Sequence, residues 1–340
     1  MDVGQRFGVL IVWIFVIVVF SVLRPSSFFT TGNVQTILGS QAVPLILTLG
    51  LLPSLTAGEF DLSVTGVMSV SLVLVGWLNV LQHWPIVPTV LVALGAGVLM
   101  GLINALLIVG VGVESIIVTL GTGALFGGVA EAINGVTTSG ISQGLVDVAR
   151  DQILGLPLAF FYALALTVAV WYIFAFTPIG RYLYFVGAGR NVARLSGLPV
   201  DRIRVLALVS TSITSAFAGV IFAGTLGAAD PNISTPLLLP AFAGAFLGST
   251  VITPGRFNPW GSFIAVYFLV TGITGLELLG LSGWIEDAFY GASLVVAVTL
   301  SRLISRRRSP RREVGDRHGA AHPEGTGTAP AHEQIVSTTQ

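Results

Sequence analysis

The side chains that could do chemistry in this sequence are few, and they sit beside long apolar runs. Glu59, Asp61 and Ser63 follow one such run, while Asn104, Glu114, Thr119, Thr122, Glu131, Asn134, Asp230 and Asn232 flank others. Polar groups at membrane depth are costly to desolvate, so by default they point to a route for a solute or a proton. Carboxylates could carry protons, whereas amides and hydroxyls could hydrogen-bond a neutral, hydroxyl-rich solute in passing. The plainer reading of each is solvation or capping at a helix end. Either Asp61 or Ser63, for example, can cap a helix running on through Val70. Hydrolytic, redox and metal chemistry find no support. The sequence has no cysteine, no GxxxxGK[ST] phosphate loop or lysine to complete one, no zinc-ligand spacing and no nucleophile elbow. Its histidines are His83, read as interfacial beside Trp84 at an external helix end, and His318, His322 and His332 near the C-terminal end. No catalytic residue, metal, cofactor or nucleic-acid partner is expected, and an enzyme acting alone is not.

The elements that must position these groups follow from composition. Of 340 residues, 54% are hydrophobic and 9% charged, against roughly 25% charged in a soluble domain. The apolar residues come in runs close to the roughly 20 needed to cross a bilayer as helix. Barrel strands would be shorter and would alternate. The expected fold is therefore an all-α polytopic membrane protein. About ten segments qualify, near 7–23, 36–57, 63–82, 86–109, 113–133, 156–176, 205–227, 236–251, 260–279 and 284–304. Pro44 and Pro53 interrupt the second, and the eighth is short and opens on Pro236 and Pro240. The first reads as a span rather than a cleaved leader, because no small-residue cleavage site follows it before Arg24-Pro25.

Arginine placement sets the orientation. Arg181, Arg190, Arg194, Arg202 and Arg204 crowd residues 177–204 against the single acid Asp201, and Arg302, Arg306, Arg307, Arg308, Arg311 and Arg312 follow the last run. Positive-inside bias puts both stretches in the cytoplasm. Ten spans then leave both termini there. Residues 1–304 read as a transmembrane domain, and 305–340 as a disordered cytoplasmic tail. Within 177–204, Asn191 can cap a short helix through Leu195, Gly197 can end it and Pro199 blocks its continuation. A helix framed in this way suits docking to a soluble partner. Small residues, among them Gly95, Gly97 and Gly101 on one span and Gly121, Gly123, Gly127 and Gly128 on the next, read as helix packing in lipid. The stretches Thr56–Ser63 and Gly227–Asn232 each bring a small-residue helix end to an aspartate. They read as an inverted repeat, or equally as chance.

The basic stretch Gly180-Arg181-Tyr182 through Gly187-Ala188-Gly189-Arg190-Asn191 to Ala193, Ser196 and Gly197 resembles the coupling loop of ribose-type (monosaccharide) ATP-binding cassette importer permeases. Gly58-Glu59-Phe60-Asp61-Leu62-Ser63-Val64 is similar to that family's G-G-I-D-L-S-V, with Glu59 standing where the motif has glycine. Asn104–Ile108, Ile116–Thr122, Leu247–Thr250 and Gly255-Arg256 look like further motifs, in the family's order from about residue 40 to 300, although Thr253-Pro254-Gly255-Arg256 departs from a glycine-rich turn.

The resemblance implies the permease subunit of an ATP-driven importer of a monosaccharide or similar small polar solute, in the bacterial cytoplasmic (inner) membrane. It implies ATPase subunits docked inside, an external solute-binding protein, lipid around the spans, and a second permease subunit forming a homodimer or pseudo-dimer. ATPase coupling is expected at Arg181, Gly189, Arg190, Asn191, Ala193, Arg194, Ser196, Gly197 and Arg202. A translocation pathway is expected along Glu59, Asp61, Ser63, Asn104, Thr119 and Thr122. The alternative is a proton-coupled secondary transporter using Glu59 or Asp61.

Overall fold

The computed structural model describes residues 3–308 apart from Ser282. Among them run α1 (Val3–Leu23), α2 (Thr31–Ser40), α3 (Ala42–Thr56), α4 (Val64–Gly76), α5 (Ile86–Ala105), α6 (Ser115–Ile133) and α7 (Gln143–Arg150). The order continues with α8 (Leu158–Phe176), α9 (Pro178–Ala188), α10 (Arg190–Leu195), α11 (Val200–Leu226), α12 (Leu238–Gly248), α13 (Pro259–Leu278) and α14 (Trp284–Arg308). Wider π turns, Trp77–Leu81 and Leu106–Val111, prolong α4 and α5. Seven helical stretches are long and apolar enough to cross a membrane, and Gly8–Leu23 and Thr235–Gly248 are shorter apolar ones. The protein is therefore a mostly helical polytopic membrane protein.

The break in the second segment falls at neither proline. The chain turns at Gln41, with φ −89° and ψ 3°, between α2 and α3. Pro44 lies in the first turn of α3, where a missing N–H costs nothing, and Pro53 sits inside the helix without ending it. The eighth segment is a 3₁₀ turn, Thr235–Leu237, leading into the short α12. The basic stretch holds the expected short helix as α10, with α9 before it, and α11 starts at Val200, ahead of the expected 205. The last helix runs through Arg308, past the expected tail boundary, and the rest of that tail, 309–340, lies outside the described residues.

Helix α3 is the centre of the molecule. Leu45, Ile46, Leu47, Leu49, Leu51 and Leu52 are all fully buried. A helix that is apolar and covered on every side belongs in a core. It packs on α8, α11, α12 and α13. Close approach elsewhere depends on glycine. A Cβ on Gly97 would lie 2.5 Å from that of Ala216, and one on Gly66 would lie 2.5 Å from the Gly123 carbonyl. These contacts lock α5 to α11 and α4 to α6. A Cβ built on Gly95, Gly121, Gly127 or Gly128 meets nothing within 4 Å among the described residues, so packing within the protomer does not account for these four.

Residues 134–157 lie over one end of this bundle. Thr138–Ser139 pairs antiparallel with Ala228–Ala229, and α7 buries Leu145, Val146 and Ala149. Neither α7 nor this pairing was expected from hydropathy. Both are too short and too polar on one side to register as spans.

Candidate translocation pathway and coupling surface

The turn between α3 and α4 organises the site. Helix α3 ends in a Schellman arrangement: Gly58 N–H donates to the Leu55 carbonyl (3.1 Å) and Glu59 N–H to that of Ser54 (2.9 Å). This geometry puts Gly58 at φ +80°, where a side chain would be strained. The chain then folds on Asp61, whose Oδ1 accepts from the Ser63 N–H (3.0 Å) and from the Ser63 hydroxyl (2.6 Å). Neither Asp61 nor Ser63 caps α4 through its side chain, contrary to expectation. The aspartate instead shapes the turn that precedes the helix.

Three of the expected pathway residues form one buried chain. Asn104, on α5, donates Nδ2–H to the Ser63 hydroxyl at 2.8 Å, and Ser63 donates in turn to Asp61. All three are 0% exposed. Thr119, on α6, shares its hydroxyl hydrogen between the Ser115 carbonyl (2.7 Å) and the Phe60 carbonyl (3.0 Å), and Ser115 Oγ accepts from the Phe60 N–H (3.1 Å). Ser115 was missed, and its place one helical turn before Thr119 was the available signal. Thr122, a turn further along α6, is buried. Asp61 Oδ2, Asn104 Oδ1 and Thr122 Oγ1 are buried without a hydrogen-bond partner among the described residues.

Glu59 parts company with this group. Its side chain is 1% exposed, and its Oε1 accepts from both Arg190 (2.7 Å) and Arg204. Arg190 also donates to the Gly58 carbonyl at 3.1 Å. A cavity of about 450 Å³ opens beside this cluster, lined by Glu59, Gly112, Glu114, Ser115, Arg190 and Arg204 among others.

The basic segment is built to hold these arginines in place. Gly187, on α9, meets the end of α3 so closely that a Cβ there would lie 1.9 Å from the Thr56 carbonyl. Helix α10 then begins at Arg190, with Gly189 as its N-cap, and Asn191 lies inside the helix without capping it. Gly197, at φ +80°, closes α10 through its N–H to the Arg194 carbonyl (3.0 Å), and Pro199 precedes α11. The helix ends at Leu195 as expected, but it starts at Arg190, because its cap lies two positions before the asparagine.

Ala193 is buried and faces the bundle, so it seats α10. The outer face carries Asn191, Arg194, Ser196 and two residues that sequence reasoning passed over, Val192 (67% exposed) and Leu195 (89% exposed). Their spacing of three, opposite Ala193, was legible as an apolar stripe within a basic loop. Arg181 and Arg202 are exposed nearby, and Arg194 pairs with Asp201 at 3.0 Å. Tyr184, also on α9, donates its hydroxyl to the Phe257 carbonyl (2.5 Å) beneath the Arg256 guanidinium. Burial pushes that hydroxyl's pKa up, and Arg256 partly opposes the shift.

On the opposite side of the bundle, Asp230 repeats the Asp61 geometry. Its Oδ1 accepts from the Asn232 N–H at 2.9 Å, and Gly227, three residues earlier, has φ +66°. Asp230 Oδ2 accepts from the Thr137 hydroxyl (2.7 Å), and Asn134 donates to Thr138 (2.6 Å). These polar groups tie the segment after α6 to the turn after α11. His83 is exposed at a helix end, while Glu114 and Glu131 are exposed at the two ends of α6.

Residues 33–298 match the family model described as branched-chain amino acid transport system / permease component. The D-allose transport system permease protein AlsC of Escherichia coli K12 is 25% identical over 89% of this chain and 93% of its own length. The autoinducer 2 import system permease proteins LsrD of Photorhabdus luminescens and Salmonella paratyphi A are 27% and 29% identical, over 88% and 91% of this chain and 92% and 94% of their own. No solved structure matches. In this setting the chain is a permease subunit of an ATP-binding cassette importer in the bacterial inner membrane. ATP hydrolysis resides on a separate subunit, and a solute-binding protein is the other partner class. With the match covering most of its length, the chain belongs to the family of branched-chain amino acid transport system permease components.

Proposed function

We propose that the chain imports a monosaccharide or a similar small polar solute, and that α10 receives the ATPase subunit while the Asp61–Ser63–Asn104 cluster serves the pathway. The observation that carries this reading is the adjacency of the two. The helix with exposed Val192 and Leu195 is bonded through Arg190 to Gly58 and Glu59, in the turn that holds the buried polar chain. Coupling then works through Arg181, Gly189, Arg190, Asn191, Arg194, Ser196, Gly197 and Arg202, with Ala193 as the seat of α10. Asp61, Ser63, Asn104, Thr119 and Thr122 serve the solute. The acceptors Asp61 Oδ2, Asn104 Oδ1 and Thr122 Oγ1 match the hydroxyl donors of a sugar. The relatives' names, D-allose transport and autoinducer 2 import, suit a solute of this size and polarity.

The same reading includes the finer topology. The seven long helices, the two shorter apolar helices and α14 make ten spans, with both termini cytoplasmic beside the arginine-rich stretches. An inverted repeat is supported by the spacing shared between Gly58, Asp61, Ser63 and Gly227, Asp230, Asn232: each glycine has positive φ and each aspartate accepts from the N–H two residues on. Packing agrees, because α3 meets α12 as α11 meets α4, and α3 and α11 pack together. The domain reading stays with residues 1–304 as the permease, 177–204 as its coupling segment and 305–340 as a cytoplasmic tail. A second copy of the chain completes the pore. In support, the outward face of α6 presents Gly121, Ala124 and Gly128, small residues that lipid does not require but a closely packed helix does.

The proton-coupled alternative loses one of its carriers, since two guanidinium groups already neutralise Glu59. The deciding experiment reconstitutes the chain with its ATPase subunits and binding protein in proteoliposomes. It follows uptake of whichever of radiolabelled D-allose, D-ribose or D-xylose the binding protein retains. Accumulation that requires ATP and survives an uncoupler is the expected result. Uptake that collapses with the uncoupler at constant ATP overturns the reading.

A further inference from the structure

The Glu59 carboxylate belongs neither to a bare docking surface nor to the buried polar chain, and its position between them is informative. Two arginines from different elements converge on one of its oxygens. Arg190 is the first residue of α10, and Arg204 lies in the second turn of α11. Arg204 is 11% exposed and Arg190 42%, so one arm is inside the protein and the other reaches to the surface. A surface ion pair would hold little. Here the acceptor is buried, the bonds are charge-assisted, and Arg190 adds a bond to the Gly58 carbonyl. Backbone contact backs the side chains, because Gly187 of α9 rests against the Thr56 carbonyl at a distance that excludes any Cβ.

Beyond Glu59 the connections continue without a gap. Phe60 bonds Ser115 through its N–H and Thr119 through its carbonyl, both on α6, and Asp61 bonds Ser63, which accepts from Asn104 on α5. A displacement of α10 therefore meets a stiff hydrogen-bonded line into two helices. The cavity beside Glu59 leaves room on one side of the turn for it to move.

We propose that Glu59 is a positioning residue that rivets the coupling segment to the pathway turn. Its pairing with Arg190 and Arg204 carries movement of α10 into Phe60–Ser63 and, through Ser115 and Thr119, into α6. This rests on the coupling role proposed above for α10. The rivet transmits and does not touch solute, so its loss separates two movements that normally occur together.

The absence of native cysteines allows each movement to be read with a single introduced thiol. Ser196→Cys reports at the end of α10, and Ile116→Cys, which lines the cavity at the start of α6, reports beyond the rivet. Each is placed in the complex with its ATPase subunits in nanodiscs. Its rate of reaction with a hydrophilic maleimide is measured with and without ATP and vanadate, which needs no solute. With Glu59 intact, both rates should change on trapping, by roughly 2- to 30-fold if the coupling is of ordinary strength. In the Glu59→Gln background, Ser196→Cys should still respond and Ile116→Cys should not. An equal response of Ile116→Cys in both backgrounds overturns the rivet. No response of Ser196→Cys with Glu59 intact overturns the coupling role of α10 itself, and the rivet with it. If Glu59→Gln fails to assemble, Arg190→Gln replaces it, since Arg204 still neutralises the buried carboxylate. The Ile116→Cys response should then shrink, and an unchanged response overturns the proposal in the same way.

Discussion

A carboxylate out of water is tolerable only while its charge is answered, and Glu59 shows how unequal the two sides of such a pair are. Arg190 can swing into solvent, whereas Glu59 and Arg204 cannot. Removing Arg204 leaves the buried carboxylate answered only by the half-exposed Arg190. Arg204→Ala should destabilise the detergent-solubilised protein by less than the roughly 3–5 kcal/mol of a wholly unpaired buried charge, but by more than Arg190→Ala, both read as shifts in the thermal unfolding midpoint. Equal shifts for the two would mean that Glu59 is hydrated after all. Gly187 makes a second demand at this scale. Its missing Cβ would sit inside the Thr56 carbonyl, a backbone atom that cannot rotate away. Gly187→Ala should push α9 off α3 and lower recovery of the ATPase complex on co-purification, whereas Gly197→Ala strains only the end of α10. From the sequence, Glu59 was visible as an added carboxylate where the resembling motif has glycine. Its partners, more than 130 residues away, were not, because arginines needed for positive-inside topology look the same whether they face solvent or a buried acid.

At the scale of elements, α10 divides its labour by face. Ala193 is buried toward the bundle, and Val192 and Leu195 stand out on the cytoplasmic reading of the segment. Exposed apolar side chains on a short helix make an anchor for a complementary groove. Leu195→Asp should leave the fold untouched, as its side chain contacts little. It should weaken ATPase binding by roughly 30-fold or more, taking at least about 2 kcal/mol for a central anchor, measured by titrating ATPase subunit onto permease in nanodiscs. Full-strength binding would remove α10 from the docking surface. The helix itself was legible because Gly197 and Pro199 punctuate the sequence. Its cap was not, because Asn191 carries the usual capping side chain whereas Gly189, which has none, takes the position. Seven of the expected spans were legible from hydropathy, since lipid imposes that pattern directly. The break at Gln41 was not, since glutamine carries no turn chemistry of its own. Helix α7 escaped for the opposite reason: its apolar face covers α11 rather than lipid, so it is too short and too amphipathic for a span-length window.

For the whole molecule, the question is what occupies the outward face of α6. This helix holds the turn at Phe60 through Ser115 and Thr119 on its inner side, and it is bare on its outer side. Gly121, Ala124 and Gly128 recur there at spacings of three and four, so they form one continuous strip, and no described atom lies within 4 Å of a Cβ built on Gly121 or Gly128. Lipid chains gain nothing from such a strip, whereas a second helix can lay its backbone along it. A pore between two copies would place α6 at its wall, with the buried polar chain immediately behind. Gly121→Leu combined with Gly128→Leu should then leave each protomer folded, because the new side chains meet no neighbour within it. The population should shift from dimer to monomer in single-molecule photobleaching of the permease in large vesicles, and ATP-driven uptake should fall with it. The control is Leu125→Ala, which enlarges the strip and should preserve the dimer. A dimer that persists through the double substitution would move the interface to another face and take the pathway away from α6.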